Sequence, residues 1–144
     1  MLQFKANKEN LPNPAKLLDS LRSTGYDNYN AIMDIVDNSI DAEAKNIWID
    51  ITGKDENFTI LIADDGKGMS FDILDQALKL GSETEKDIDS DLGRFGMGLS
   101  TATLSICKRT IVLTKTKNGE FLKSETDLDW VMLNNKFSKY LDKG

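Results

Sequence analysis

Apolar residues recur with helical spacing in several stretches of the chain, and each stretch is bounded by residues typical of helix ends. Asn13 and Pro14 precede the first stretch and Gly25 follows it, while Ser70 and Gly81 bound another. The pattern therefore predicts helices over residues 14–24, 29–42, 71–80 and 99–107, and a last one over residues 128–141, which includes Leu141.

Other stretches alternate or run continuously apolar, as strands do. Residues 45–51 alternate, and residues 58–63 form a β-branched run that predicts a central strand paired antiparallel with the first. Residues 110–116 and 121–124 flank Asn118 and Gly119, a sequence typical of a hairpin turn. Helices and strands are thus interspersed in one chain.

The helix predicted over residues 29–42 has an apolar side, which we expect to form core, and an unusual polar side. The apolar side consists of Ile32, Ile35, Val36 and Ile40, and the polar side of Asp34, Asp37, Asn38 and Asp41. Like charges one turn apart repel by about 0.2–0.5 kcal/mol per pair. A hard cation such as Mg2+, which prefers oxygen ligands, would relieve that repulsion. The alternative is a solvated polar face.

Length and composition indicate an ordinary globular domain. The chain has 144 residues, of which 40% are hydrophobic and 29% charged, and no apolar run is long enough to span a membrane. The first ten residues have no signal-peptide core, so we expect a cytoplasmic protein. The formal net charge of −6 makes nucleic acid an unexpected partner for this domain alone.

Histidine is absent from the sequence and Cys107 is the single cysteine. These counts exclude histidine-dependent nucleophilic catalysis, histidine metal ligands and an internal disulfide within this chain. The chemistry must therefore come from carboxylates, amides, cations and backbone groups.

Two glycine-containing segments follow the acidic helix. Asp64, Gly66 and Gly68 lie at the end of a predicted strand, where a carboxylate can accept a hydrogen bond from an exocyclic amine and glycine lets a flat ring approach. That arrangement suits adenine, although an ordinary turn has the same residue types. The second segment, GRFGMG at residues 93–98, opens a predicted helix whose free N–H groups can bind phosphate. It matches neither a Walker loop nor a Rossmann fingerprint.

Residues 82–91 connect these parts and are polar and acidic, with a single aliphatic residue. So little apolar surface cannot fix the segment on a core. We expect a lid of about ten residues over a binding site, because long loops of this kind are commonly functional.

Taken in order, these segments resemble the GHKL superfamily, the ATPases of the gyrase, Hsp90, histidine-kinase and MutL type. DIVDNSIDA resembles its N-box, DDGKGM its adenine box and LGRFGMGLSTAT its glycine box. LGSETEK followed by GRFGMGLSTA is most similar to MORC and Hsp90-like proteins. The resemblance implies a Bergerat fold, an α+β two-layer α/β sandwich with helices on one face of a mixed, mainly antiparallel sheet.

The resemblance also implies roles for individual residues. Asn38 would coordinate Mg2+ with support from Asp41, and Asp64 would bind the adenine amino group. Gly66 and Gly68 would flank the base, with Met69 in the same box. The phosphates would be wrapped by Gly93, Arg94, Phe95, Gly96, Met97 and Gly98.

One position departs from the family pattern. The ATPases of the family have a water-activating Glu where this chain has Asp34, which is one methylene shorter. A misplacement of about 1 Å can reduce a rate about 100-fold, so hydrolysis should be slow.

Relatives also have a strand with a Thr near the phosphates and often a following domain that supplies a Lys. Neither is assigned here, so we expect residues 1–144 to be one domain from the N-terminal part of a longer protein, or a shortened chain.

The expected function is therefore binding of ATP with Mg2+ and slow hydrolysis that operates a conformational or dimerisation switch. The expected partners are ATP, a second copy of the chain when ATP is bound, and a protein contacted through a C-terminal region beyond this chain. One alternative is a histidine-kinase-type phosphotransferase, which a carboxylate at position 34 disfavours because such kinases need no water-activating base. Another is a nucleotide-responsive binding module without hydrolysis.

Overall fold

A computed structural model describes residues 27–78, 99–134 and 140–143 of the chain, together with positions 13, 16, 20 and 23. Its helices are α1 (Asn28–Asp41), α2 (Phe71–Ala77), α3 (Leu99–Ile106) and α4 (Leu128–Asn134). In these parts of the chain, no helix has both the length and the apolar character needed to cross a membrane.

Five strands form two antiparallel ladders in the described ranges. β1 (Ile47–Lys54) pairs with β2 (Asn57–Asp64), so that Ile47 lies opposite Asp64. The second ladder has the order β3-β4-β5, built from Arg109–Thr114, Leu122–Asp127 and Tyr140–Lys143. The α+β class expected from the sequence is confirmed.

Helices α1, α2 and α3 meet on the inner face of β3. Ala77, Leu78 and Leu99 form a buried cluster, against which Ile35 of α1 and Val112 of β3 pack. A second cluster joins Leu104 of α3 to Leu128 and Val131 of α4. The first cluster packs helices against the β3-β4-β5 ladder, as in a two-layer sandwich.

The predicted helices and the hairpin are largely confirmed. Ser70 is the N-cap of α2, since its side chain accepts the N–H of Ile73. Lys16, Ser20 and Ser23 are helical, and Asn13 Oδ1 accepts the N–H of Lys16 at 3.1 Å. The rest of the helix predicted over residues 14–24 lies outside the described residues.

Helix α1 is turned slightly from the expected orientation. Ile40, predicted to be core, is 58% exposed, whereas Ala31 and Ser39 are buried. Ala31, Ile35, Ser39 and Ala42 follow one another at intervals of three or four residues, so they form the inward face. Ile40 lies beside that face rather than on it.

One strand prediction and one helix prediction need correction. β2 pairs antiparallel with β1, as predicted, but β1 is its one neighbour among the described strands and most of its residues are exposed. Within the described residues the predicted last helix is present over Leu128–Asn134, and Leu141 belongs to β5 instead. Pairing with β4 explains that difference, because β5 hydrogen-bonds to backbone groups that would otherwise lie at a sheet edge.

Glu125 connects the outer positions of β3 and β4. Its carboxylate oxygens lie 2.9 Å from Lys123 Nζ and 2.6 Å from a terminal nitrogen of Arg109. Hydrogen bonds from Lys123 and Arg109 hold the pKa of Glu125 below its usual value. Because the pKa is lower in the folded protein, this carboxylate stabilises the fold above its unfolded pKa of about 4.3 and loses that effect as pH falls through the folded pKa.

We therefore predict that Glu125→Gln unfolds at a lower urea concentration than the wild type at about pH 7, and that the difference narrows as pH falls below about 4.3. Urea midpoints measured across this range give the comparison. Glu56→Gln is the matched control, because Glu56 lies in the exposed turn between β1 and β2 and forms no ion pair among the described residues. A difference that does not narrow at acid pH would show that Glu125 contributes by packing rather than by charge.

Candidate functional site

Helix α1 carries the polar residues that the sequence predicts for a metal and phosphate site. It begins after Asp27, whose side chain accepts the N–H of Tyr29 at 3.3 Å, and it ends at Ala42. Asp34 and Asn38 are half-buried and one turn apart, and Asp41 is exposed at the last turn. Asp34 and Asn38 therefore lie along one side of the helix, with Asp41 near its C-terminal end.

Asp64, the last residue of β2, is fixed against α1. Ser39 Oγ donates a hydrogen bond to Asp64 Oδ2 at 2.8 Å, and the Gly66 N–H donates one to Asp64 Oδ1 at 2.9 Å. Each carboxylate oxygen can accept a further hydrogen bond. The carboxylate is thus held in one orientation while retaining the capacity to accept a ligand amine.

Ser39 is a functional residue that the sequence interpretation missed. It is buried, and it is the residue that joins α1 to Asp64. Its position among Ala31, Ile35 and Ala42 on the inward face was an available signal, because a buried hydroxyl needs a hydrogen-bond partner.

The loop after β2, residues 64–69, lies directly on the end of α1. The Lys67 N–H donates to the carbonyl oxygen of Ala42 at 2.9 Å. A Cβ placed on Gly66 would lie 2.7 Å from that oxygen and 2.8 Å from the Ala42 methyl carbon. Glycine is required at position 66 because the loop and the helix end approach too closely for any side chain.

Asp65 attaches the same loop to the turn between α1 and β1. Its Oδ1 accepts the N–H groups of Lys45 and Asn46 at 2.7 and 2.9 Å, and its Oδ2 accepts from Asn46 Nδ2 at 2.8 Å. Hydrogen bonds from the Asn46 side chain and from the Asn46 and Lys45 backbone lower the pKa of Asp65. Of the two adjacent aspartates, Asp65 therefore holds the turn between α1 and β1, whereas Asp64 is held by Ser39 and the Gly66 N–H.

The far end of residues 64–69 reaches β3. Gly68 has a positive φ of 69°, and a Cβ there would collide with the carbonyl oxygen of Lys115. The Met69 N–H donates to Thr114 Oγ1 at 2.8 Å, and the Met69 side chain packs against the cluster of Ala77, Leu78 and Leu99. The loop is thus held at both ends.

Asn38 has a polar group in need of a partner. Its side-chain nitrogen Nδ2 is buried and has no hydrogen-bond partner among the described residues. A buried amide of this kind is costly unless it is satisfied, and a phosphate oxygen would accept its N–H. Rotation of the amide would instead present its oxygen to a cation. Asn38 therefore fits a site for phosphate and a hard metal ion.

A metal ion would receive few ligands from the protein. No group of three or more acidic or cysteine side chains that could hold a metal occurs in the described ranges. Mg2+ is commonly bound in this way, through one or two protein oxygens together with substrate phosphates.

The predicted phosphate segment, residues 93–98, and the predicted lid, residues 82–91, lie outside the described residues.

The site as described combines a fixed carboxylate, a close-packed glycine loop and an unsatisfied amide. These three features lie at the junction of α1 with the end of β2. The carboxylate is an acceptor for an amine, and the amide is a partner for an anion or a cation. A ligand with an amine at one end and phosphates at the other matches this chemistry.

Comparison with known proteins identifies the type of ATPase that the sequence motifs resemble. Residues 26–142 match the family described as histidine kinase-, DNA gyrase B-, and HSP90-like ATPase. That range includes α1, the loop after β2 and both ladders except Lys143.

Individual relatives are similar over about two-thirds of the chain. MORC family CW-type zinc finger protein 3 of Mus musculus is 30% identical over 96 residues, which cover 64% of this chain and 10% of the mouse protein. Protein MICRORCHIDIA 3 of Arabidopsis thaliana is 32% identical over 95 residues, 62% of this chain and 16% of that protein. ATPase morc-1 of Caenorhabditis elegans is 29% identical over 89 residues, 62% of this chain and 10% of that protein.

The chain thus spans a small fraction of the length of these relatives. The family match covers most of the chain and coincides with the motifs around Asn38 and Asp64. This chain belongs to the family of histidine kinase-, DNA gyrase B- and HSP90-like ATPases.

Proposed function

We propose that this domain binds ATP together with Mg2+ and hydrolyses it slowly, so that the nucleotide state operates a conformational or dimerisation switch. The observation that carries the proposal is the fixed Asp64 carboxylate, which Ser39 and the Gly66 N–H hold beside a loop that approaches the helix end closely. A carboxylate held in this way selects a ligand that offers an amine, and the glycine loop admits a flat ring.

Asn38 is the residue that would hold the metal. Asn38 is half-buried and directly precedes Ser39, the residue that fixes Asp64. Mg2+ bound there together with the phosphates would neutralise phosphate charge. Asp41, exposed one turn later, would support the site through its negative charge.

Asp34 would act as general base towards the attacking water. It lies one helical turn before Asn38 and is half-buried. Its side chain is one methylene shorter than the family's Glu, so its reach towards the water is shorter and the rate is reduced.

Residues 93–98, including Arg94, would bind the phosphates, and residues 82–91 would close over them. Closure coupled to pairing of two copies would supply the switch.

Asp64→Asn tests the adenine contact. An amide at position 64 can still accept from Gly66 and donate to Ser39, so the fold should be retained. The neutral amide replaces the charged carboxylate that would accept the adenine amine. The affinity for ADP with Mg2+, measured by titration calorimetry, should therefore fall by about 1.5–3 kcal/mol.

Asp50→Asn is the matched control for this change, because Asp50 is an exposed carboxylate on β1. Its affinity should equal that of the wild type. If the wild type binds neither ATP, ADP nor a non-hydrolysable analogue at millimolar concentration, the proposed function is wrong.

Asn38→Ala tests the metal contact. ADP binding to the wild type should weaken when Mg2+ is removed with EDTA, whereas the variant should bind ADP with the same affinity in both conditions. Asn30→Ala is the control, since it makes the same change at an exposed position of the same helix. Equal magnesium dependence in the wild type and Asn38→Ala would exclude Asn38 as the ligand.

Asp34→Asn and Asp34→Glu test the general base. The base must lie within about 2.6–3.2 Å of the water or act through a second water, so Asn should abolish hydrolysis while ADP binding is retained. Glu should match the wild-type rate or exceed it, by up to about 100-fold. Phosphate release over hours is the measurement.

Two results would contradict this role for Asp34. Hydrolysis by Asp34→Asn at the wild-type rate would assign the base to another group. Nucleotide binding without phosphate release in the wild type and in Asp34→Glu would favour the binding module without hydrolysis.

A further inference from the structure

Thr114 is a polar residue at the end of β3 that lies far from Asp64 in sequence. Along β3 the inward positions are Thr110, Val112 and Thr114, because alternate residues face the helices. Thr114 Oγ1 accepts the Met69 N–H at 2.8 Å in a half-buried environment. A strand residue thereby holds the backbone of the loop that follows β2.

A second contact beside it brings the two backbones together. Gly68 has a positive φ of 69°, and a Cβ there would collide with the carbonyl oxygen of Lys115 and lie 3.2 Å from Thr114 Oγ1. The loop therefore lies directly against the last residue of β3 and the residue after it. Close contact makes the position of Met69 depend on Thr114.

The two ends of residues 64–69 are consequently attached to different parts of the fold. At the first end, Ser39 of α1 and the Gly66 N–H hold Asp64. At the second end, Thr114 of β3 holds Met69. A base inserted beside this loop would be aligned by both attachments.

We propose that Thr114 is a positioning residue for the adenine base, which acts through the Met69 backbone and sets the alignment of Gly68 and Met69 relative to Asp64. The proposal rests on the proposed function. Hydrogen-bond strength falls steeply with poor distance and angle, so the contact between an exocyclic amine and Asp64 depends on where the rest of the loop holds the ring. Thr114 therefore contributes to selection of adenine over a base with a carbonyl oxygen at the same place.

Thr114→Val removes the acceptor and keeps the β-branched shape, while Thr114→Ser keeps the acceptor. Thr59→Val is the matched control, because it makes the same change at an exposed position of β2. Affinities for ADP and for IDP, which has a carbonyl oxygen in place of the adenine amine, are measured by calorimetry. Unfolding in urea is measured alongside.

Thr114→Val should bind ADP about tenfold more weakly, the effect of one lost hydrogen bond. Its preference for ADP over IDP should narrow, a change that reduced stability alone does not produce. Thr114→Ser and Thr59→Val should remain within about twofold of the wild type in both quantities. If Thr114→Val does not fold, Thr114→Cys replaces it, because a thiol is a weak acceptor of similar size.

Amide exchange of Met69 without nucleotide reports directly on the hydrogen bond. The Met69 N–H should exchange faster in Thr114→Val than in the wild type and in Thr114→Ser. Faster exchange with unchanged ADP affinity and unchanged preference over IDP would overturn the positioning role, as would a Thr114→Ser variant that behaves like Thr114→Val. Failure of the proposed function is a different result, namely a wild type that binds no adenine nucleotide.

Discussion

The described structure depends on the orientation of one carboxylate. Asp64 ends β2, and Ser39 in the middle of an inward helix face donates to it at 2.8 Å. The Gly66 N–H donates to its other oxygen at 2.9 Å. Charge-assisted hydrogen bonds of this kind are stronger than those between neutral groups, so they fix both the side chain and the loop that follows it.

The consequence is that one short loop connects two parts of the fold. Asp65 and Lys67 attach residues 64–69 to the end of α1 and the turn after it, and Met69 attaches them to β3. Asn38 precedes Ser39 on the same helix. A ligand bound between Asp64 and Asn38 would therefore contact α1 and a loop that is attached to both α1 and β3, an arrangement that favours preorganised binding.

Much of this arrangement could be predicted from the sequence. The α+β class, the antiparallel pairing of β1 with β2 and the Ser70 cap follow from periodicity and end signals, because these are local properties. The candidate residues Asn38 and Asp64 were identified from their motifs. Their mutual arrangement through Ser39 was not, because a hydrogen bond across 25 residues is set by tertiary packing.

The remaining differences also arise from tertiary contacts. Ile40 has the spacing of a core residue, yet the inward face is centred on Ala31 and Ser39. The side chains of these two residues are small, so the helix can approach its neighbours closely there. Leu141 continues an apolar pattern that suits a helix, yet pairing with β4 makes it a strand residue. The role of Asp65 was hidden for the same reason, since its partners Lys45 and Asn46 are about 20 residues away.

Backbone amide shifts during an ADP titration with Mg2+ test the central claim most directly. If the nucleotide binds between α1 and the loop after β2, the amides of Asn38, Ser39, Gly66, Gly68 and Met69 should shift together with one affinity. The β1–β2 turn at Asp55 and Glu56 should not shift. Saturable ADP binding that leaves these five amides unchanged, or that shifts a different surface, would contradict the account.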